Sequence, residues 1–131
     1  IMASLGMSNT EMEFDRFINF VAPTYPIIND KLYFANGAAG GETPITWANP
    51  DDDAWSRFAD DVNNVGSSNQ VQVVWLKLTE RRAVIGIDFP AFNFPDYAYV
   101  IRDNIKKTIK NLKQKYPNVK IVYLSFQQFL V

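Results

Sequence analysis

The sequence predicts an α/β fold: a three-layer αβα domain built on a mainly parallel sheet. Its predicted elements alternate in the order β-α-β-α-β-α-β, with connections long enough to hold a helix between successive strands. Alternation of this kind is typical of a parallel sheet with helices on both faces. Residues 71–76 support this prediction, because they are almost all apolar or β-branched, as in a strand that is covered on both faces.

The first half of the chain supplies two strands and one helix. An apolar run over residues 1–7 predicts the first strand, and residues 31–35 predict the second. Between them, apolar side chains recur at the spacing of one helix face, which predicts a helix over residues 8–22. A glycine-rich run, here called the glycine loop (residues 36–41), ends the second strand.

The middle of the chain supplies the second helix and the third strand. Residues 51–65 predict a helix with an apolar face, and Gly66 is placed to cap its C-terminus. Three aspartates at residues 51–53 lie in its first turn, where the helix dipole favours negative charge, and this position explains them better than a cation site does. Residues 70–78 then predict the third strand.

The last third of the chain holds an unusual loop, the longest helix and the fourth strand. Residues 96–116 predict the helix, whose C-terminal half is rich in lysine, and residues 119–126 predict the strand. The preceding segment, residues 88–97, has three phenylalanines between prolines. It forms either an aromatic lip over a pocket or partner surface, or a loop that fills the rim of the core.

Composition limits the chemistry of this chain. Its 131 residues suit a single domain over residues 1–131. With 13 basic and 14 acidic side chains the net charge is -1, which does not favour binding to nucleic acid. No apolar run approaches the roughly 18 residues that a membrane span needs. With 0 histidines and 0 cysteines, these residues contain no Ser-His-Asp triad, no disulfide and no thiolate zinc site. We therefore expect no cofactor and no metal, while the cellular compartment stays open.

The first candidate functional residue is Ser8, at the turn between the first strand and the first helix. A serine there has its hydroxyl at the mouth of the sheet and helix N–H groups beside it, which suits a nucleophile whose oxyanion must be held. Asn9, the next residue, belongs with the candidates for oxyanion binding. The alternative is structural, because residues 8–11 have the S-x-x-E pattern of a capping box, and the two roles are compatible.

The glycine loop is the second candidate. Gly40 or Gly41 can offer an N–H group to an oxyanion, and Asn36 can offer a side-chain amide. Gly37 belongs to the same set of candidate ligand-binding residues. The loop matches neither a P-loop nor a dinucleotide-binding fingerprint. The alternative interpretation is a tight turn that needs glycine at a positive φ.

Lys77 is the third candidate, at the end of the third strand. If its amine points into the crevice at the carboxyl ends of the strands, it can act as a base or as an electrostatic clamp. The alternative is that the side chain extends from the strand end into water.

Four segments, which cover most of the chain, resemble a family within the SGNH (GDSL-like) hydrolases. They are LGMSNTEMEF, FANGAAGGETPITWANPDDDAW, VQVVWLKLT and LKQKYPNVKIVYLS. The resemblance implies a flavodoxin-type sheet with strand order 2-1-3-4-5, of which this chain has the first four strands in the order 2-1-3-4. It also implies an ester hydrolase in which Ser8 is the nucleophile and a glycine at Gly40 or Gly41 gives an oxyanion N–H.

The chain departs from the pattern of that family in three ways. Met7 stands where the first motif has Asp, and Lys77 lies nearest to the place of a missing asparagine. The fifth strand, the last helix and an Asp-x-x-His block are absent, so we expect a C-terminally truncated domain. Without a histidine to activate Ser8, the chain is expected to be a weak or inactive esterase, with Lys77 as the candidate substitute base.

Two other functions stay open. The same crevice can bind a small ester or a carbohydrate ligand without turning it over. Alternatively, the chain forms a homo-oligomer through the open edge of the sheet, because an exposed strand edge is a template for pairing and the tail at residues 126–131 is apolar.

Overall fold

One parallel sheet with helices on both faces organises the chain. A computed structural model describes residues 1–79 and 95–125, without the side chain of Tyr97. The strands are β1 (Met2–Gly6), β2 (Phe34–Asn36), β3 (Val73–Lys77) and β4 (Ile121–Ser125). They lie in the order β2-β1-β3-β4, and each neighbouring pair is parallel. The predicted α/β class, the three-layer flavodoxin-like arrangement and the strand order are confirmed.

The helices lie on both faces of the sheet. They are α1 (Ser8–Arg16), α2 (Pro44–Ala48), α3 (Asp53–Asn63) and α4 (Asp96–Lys115). α1 packs on one face, where the Phe14 ring meets the rings of Phe34 and Trp75. The β1-to-β2 and β3-to-β4 connections run in opposite directions across the sheet. Since such crossovers are right-handed, α1 and α4 fall on opposite faces.

The core lies between the sheet and the layer formed by α2, α3 and α4. Trp47 of α2 meets Trp55 of α3 edge to face, with ring centroids 5.0 Å apart. Phe58 of α3 meets Tyr116, at the end of α4, in the same way at 5.1 Å. These rings belong to one cluster with buried strand residues, namely Ala3, Leu5, Ala35, Val74 and Leu76. Aromatic packing therefore joins α3 to both of its neighbouring helices.

The second strand begins later than the sequence pattern predicts. Residues 31–35 are expected to form it, and Phe34–Asn36 is observed. Asn36, expected in the loop, pairs in register with Ser4 of β1 and accepts a hydrogen bond from Ser4 Oγ at 2.6 Å. This contact holds the asparagine within the sheet, so the predicted end of the strand is wrong by one residue.

One helix, α2, is missing from the sequence prediction. Five residues are too few to show a helical repeat. Its start nevertheless has a recognisable feature, because Pro44 occupies the first helical position, where a proline suits the backbone and its missing N–H costs nothing. The helix contributes Trp47, which is fully buried.

The first predicted helix, over residues 8–22, changes its winding part-way. It is α-helical over Ser8–Arg16 and continues as a π-helical turn (Phe17–Val21) and then a 3₁₀ turn (Ala22–Thr24). Part of its predicted apolar face is used for packing, since Phe14 and Phe17 stack with ring centroids 6.0 Å apart, whereas Val21 is 42% exposed.

The predicted helix over residues 51–65 is α3, and its ends differ from the prediction. Asp52 is the N-cap, and its carboxylate accepts a hydrogen bond from the Ala54 N–H at 3.1 Å. Asn64 is the C-cap. The prediction of Gly66 in that role is therefore wrong, because the helix ends at Asn63, three residues before it.

Parts of two predicted features lie outside the described residues. Of the phenylalanine-rich segment, residues 88–94 fall there, as does the apolar tail at residues 126–131. The fourth predicted strand is β4, with its predicted last residue also outside. Over the ranges 1–79 and 95–125, no helix is long and apolar enough to cross a membrane.

Candidate functional site

The carboxyl ends of the strands meet at one edge of the sheet. In the strand register, Gly6 of β1 lies beside Lys77 of β3, which lies beside Ser125 of β4. The turn that leads to Ser8 follows β1, and the glycine loop continues from β2, so both start at this edge. Ligands of parallel α/β sheets bind at this edge.

Ser8 is the first residue of α1, and its hydroxyl does not cap the helix. Met7 has the extended backbone of an N-cap residue, and no side-chain hydrogen bond caps this end. The Glu11 N–H donates instead to the Met7 carbonyl at 3.0 Å. The capping-box interpretation of residues 8–11 is therefore wrong, because the helix starts one residue too early for it. The Ser8 hydroxyl donates a long hydrogen bond of 3.4 Å to Asn9 Oδ1.

The glycine loop lies against Ser8. The Ala39 N–H donates to the Gly6 carbonyl at 3.2 Å, which ties the loop to the end of β1. A β-carbon built on Gly40 would lie 3.9 Å from Ser8 Cβ, so a methyl group there would just touch the serine side chain. Gly41 has a φ of 88°, a left-handed backbone that favours glycine. The turn interpretation is confirmed at Gly41, and the same turn brings backbone beside Ser8.

Thr10 locks the start of α1 onto the sheet. Its buried Oγ1 donates a hydrogen bond of 2.8 Å to the Lys77 carbonyl at the end of β3. Gly6 makes this approach possible, because a β-carbon there would lie 2.2 Å from the Lys77 carbonyl oxygen and 2.4 Å from Thr10 Oγ1. Ser8 lies midway between Gly6 and Thr10 in the chain, so its position depends on this close approach.

Two of the predicted oxyanion-binding residues have structural partners. Asn36 Nδ2 donates to the Glu11 carbonyl at 2.9 Å, while its Oδ1 accepts from Ser4, so this side chain joins α1 to the sheet. Gly37 packs against Phe58, whose nearest ring carbon would be 2.3 Å from a β-carbon at this position. Both residues therefore build the base of the loop whose Gly40 lies close to Ser8.

The Lys77 side chain runs along α1. Its Nζ pairs with Glu13 Oε1 and lies 5.9 Å from the centroid of the Trp75 ring. Glu13 is five residues beyond Ser8, or about 7.5 Å farther along the helix axis. An ammonium group has no free lone pair with which to accept a proton. The predicted role of Lys77 as a base therefore requires that its ion pair with Glu13 opens and that the lysine amine is deprotonated. Only 13% of the Lys77 side chain is exposed, while its partner Glu13 is 51% exposed.

A charged cluster that the sequence pattern does not reveal lies beside the glycine loop. Arg57 of α3 contacts Glu42, Asp61 and the Gly37 carbonyl oxygen. Burial raises the pKa of the Glu42 carboxyl and outweighs the opposing effect of Arg57; burial likewise raises the pKa of Asp61. The i, i+4 spacing of Arg57 and Asp61 is visible in the sequence, whereas the pairing of Arg57 with Glu42 depends on the fold.

The β4 edge of the sheet exposes apolar side chains. β4 pairs with β3 and, as far as the structure describes the chain, with no second strand. Ile121 and Tyr123 are 45% and 57% exposed, and Leu124 is 43% exposed. Self-association through this edge stays a prediction.

Comparisons with protein-family models, with curated proteins and with solved structures find no match. Within the two described ranges, no group of three or more Asp, Glu, His or Cys side chains could hold a metal ion.

Proposed function

We propose that this chain carries the nucleophile and part of the oxyanion hole of an SGNH-type ester hydrolase. The observation that supports the proposal is the closeness of Gly40 to Ser8 at the carboxyl edge of a parallel sheet, where a β-carbon built on Gly40 would lie 3.9 Å from Ser8 Cβ. A serine hydroxyl is a common nucleophile for acyl transfer. Backbone N–H groups of a loop and of a helix start are the donors that such a reaction needs.

In the proposed reaction, Ser8 Oγ attacks the carbonyl carbon of an ester. Negative charge moves to the carbonyl oxygen, and the N–H groups of Ser8 and of Gly40 or Gly41 donate hydrogen bonds to it. Collapse of this intermediate expels the alcohol, which takes up the proton that Oγ released, and leaves an acyl ester on Ser8. Water then hydrolyses that ester, returning the free serine and releasing a carboxylic acid.

The lack of histidine in these 131 residues sets the expected rate. A serine hydroxyl is a weak nucleophile until a neighbouring base takes its proton. Lys77, the candidate substitute base, is held by Glu13. We therefore expect slow acylation by activated esters or carbohydrate esters, without rapid turnover.

A fluorophosphonate tests the proposal, because it bonds covalently to a reactive serine hydroxyl and releases fluoride. We expect intact-mass analysis after long exposure to find an adduct on the wild-type chain, and peptide mapping to place it on Ser8. Ser8→Ala should remove the adduct. Ser68→Ala, which removes an exposed serine that precedes β3, should be labelled like the wild type.

An unlabelled wild-type chain, or an adduct that persists in Ser8→Ala, would contradict a nucleophilic Ser8. Thermal unfolding in the presence of short-chain and carbohydrate esters then tests the alternative function, a module that binds a ligand without catalysis. Ligand-dependent stabilisation that survives Ser8→Ala, with no adduct on the wild type, would favour a binding module without catalysis.

A further inference from the structure

We propose that Arg57 is a positioning residue, which fixes the glycine loop in the conformation that brings Gly40 against Ser8. This inference rests on the proposed function, because it concerns the oxyanion side of the same site. Arg57 acts through the backbone that it holds, and no contact with the reacting atoms is assigned to it.

One guanidinium holds both ends of the loop. At the start of the loop, Arg57 Nη2 donates to the Gly37 carbonyl oxygen at 2.9 Å. Just beyond its end, Arg57 Nε donates to Glu42 Oε1 at 2.9 Å, and Nη2 contacts Glu42 Oε2, which makes the pair bidentate. Gly40 lies between these two attachment points, so displacement of either one shifts it relative to Ser8.

Arg57 is itself anchored on rigid structure. Its Nη1 donates to Asp61 Oδ2 at 2.7 Å, one turn along α3. The next residue, Phe58, is fully buried and packs against the Gly37 backbone. The loop is thus connected to α3 twice, by the Phe58 ring and by the Arg57 guanidinium.

The geometry requires an arginine and not merely a positive charge. Four hydrogen bonds leave from three nitrogens of one plane, an arrangement that a guanidinium supplies and the single ammonium of lysine cannot. Only 14% of the Glu42 side chain is exposed, so loss of Arg57 would leave a largely buried carboxylate without its cation. The end of the loop would then move toward water.

Hydrogen exchange and Ser8 labelling, measured on the same variants, test the inference. In Arg57→Ala we expect faster exchange of the Ala39 and Glu42 amides, which are hydrogen-bonded in the wild type. Exchange within β1 and β3 should stay unchanged. The rate of fluorophosphonate labelling at Ser8 should fall by up to about 100-fold, the loss associated with a misplacement of about 1 Å.

Two further variants separate position from charge. Arg57→Lys keeps the positive charge and should still lose most of the labelling rate, because lysine cannot hold both ends of the loop. Arg102→Ala is the matched control, since it removes an exposed arginine whose partner is the neighbouring Asp103. It should match the wild type in both measurements.

The inference would be overturned if Arg57→Ala and Arg57→Lys both matched the wild type in amide exchange of the glycine loop and in Ser8 labelling. A loss of protection throughout the chain in both variants would also overturn it, because Arg57 would then support the whole fold and not the loop. If the wild type is not labelled at all, the proposed function fails, and loop exchange alone decides whether Arg57 holds the loop.

Discussion

Gly6→Ala is expected to lower the free energy of unfolding by about 3 kcal/mol, at the upper end of the usual range for an overpacked interior. The new methyl group would lie 2.2 Å from the Lys77 carbonyl oxygen and 2.4 Å from Thr10 Oγ1. The first atom belongs to the backbone of an interior strand, and the second to a fully buried side chain. Neither can yield unless α1 or the sheet moves. Urea unfolding at constant pH measures the change.

Gly40→Ala is the matched control for that prediction. The nearest described atom to its new methyl group is Ser8 Cβ, at 3.9 Å, which is an ordinary contact. We therefore expect the free energy of unfolding to change by no more than about 0.5 kcal/mol. Equal stability of the two alanine variants would contradict the close approach of α1 to β3 at Gly6.

Phe58→Ala is expected to lower the free energy of unfolding by about 3–5 kcal/mol, as for other buried phenylalanines. The ring is 0% exposed and meets the rings of Trp47, Trp55 and Tyr116 edge to face. Its removal also takes away the ring on which Gly37 packs. The rate of Ser8 labelling should therefore fall together with the stability.

Phe20→Ala provides the comparison for a phenylalanine outside the core. Its ring is 58% exposed and lies beside the Arg16 guanidinium. We expect this substitution to change the free energy of unfolding by no more than about 0.5 kcal/mol and to leave Ser8 labelling unchanged. Comparable losses of stability in the two variants would contradict the place of Phe58 at the centre of the aromatic cluster.

The order of strands and helices could be predicted because burial leaves a local repeat in the sequence. In α3, Trp55, Phe58 and Val62 recur at helical spacing, and all three are buried. The place of Ser8 at a strand-to-helix turn follows from the same alternation. Parallel topology then fixes which edge of the sheet that turn occupies.

The features that could not be predicted depend on contacts between residues that are distant in the chain. The S-x-x-E pattern at Ser8 suggests a cap, yet the helix begins one residue earlier, at a point set by the docking of Thr10 on β3. Lys77 pairs with Glu13, 64 residues away. Glu42 and the Gly37 carbonyl reach Arg57 only once α3 has packed beside the glycine loop. No local periodicity encodes such pairings.

A double-cysteine variant tests whether Ser8 and the glycine loop lie together in one site. The β-carbons at positions 8 and 40 would be 3.9 Å apart, within the roughly 3.5–4.5 Å that a disulfide needs. The chain has 0 cysteines of its own, so any bond must join the introduced pair. With Ser8→Cys and Gly40→Cys combined, we predict an intramolecular disulfide under mild oxidation. The control pair Ser68→Cys and Gly40→Cys should stay reduced, whereas free thiols in both pairs would show that positions 8 and 40 lie apart.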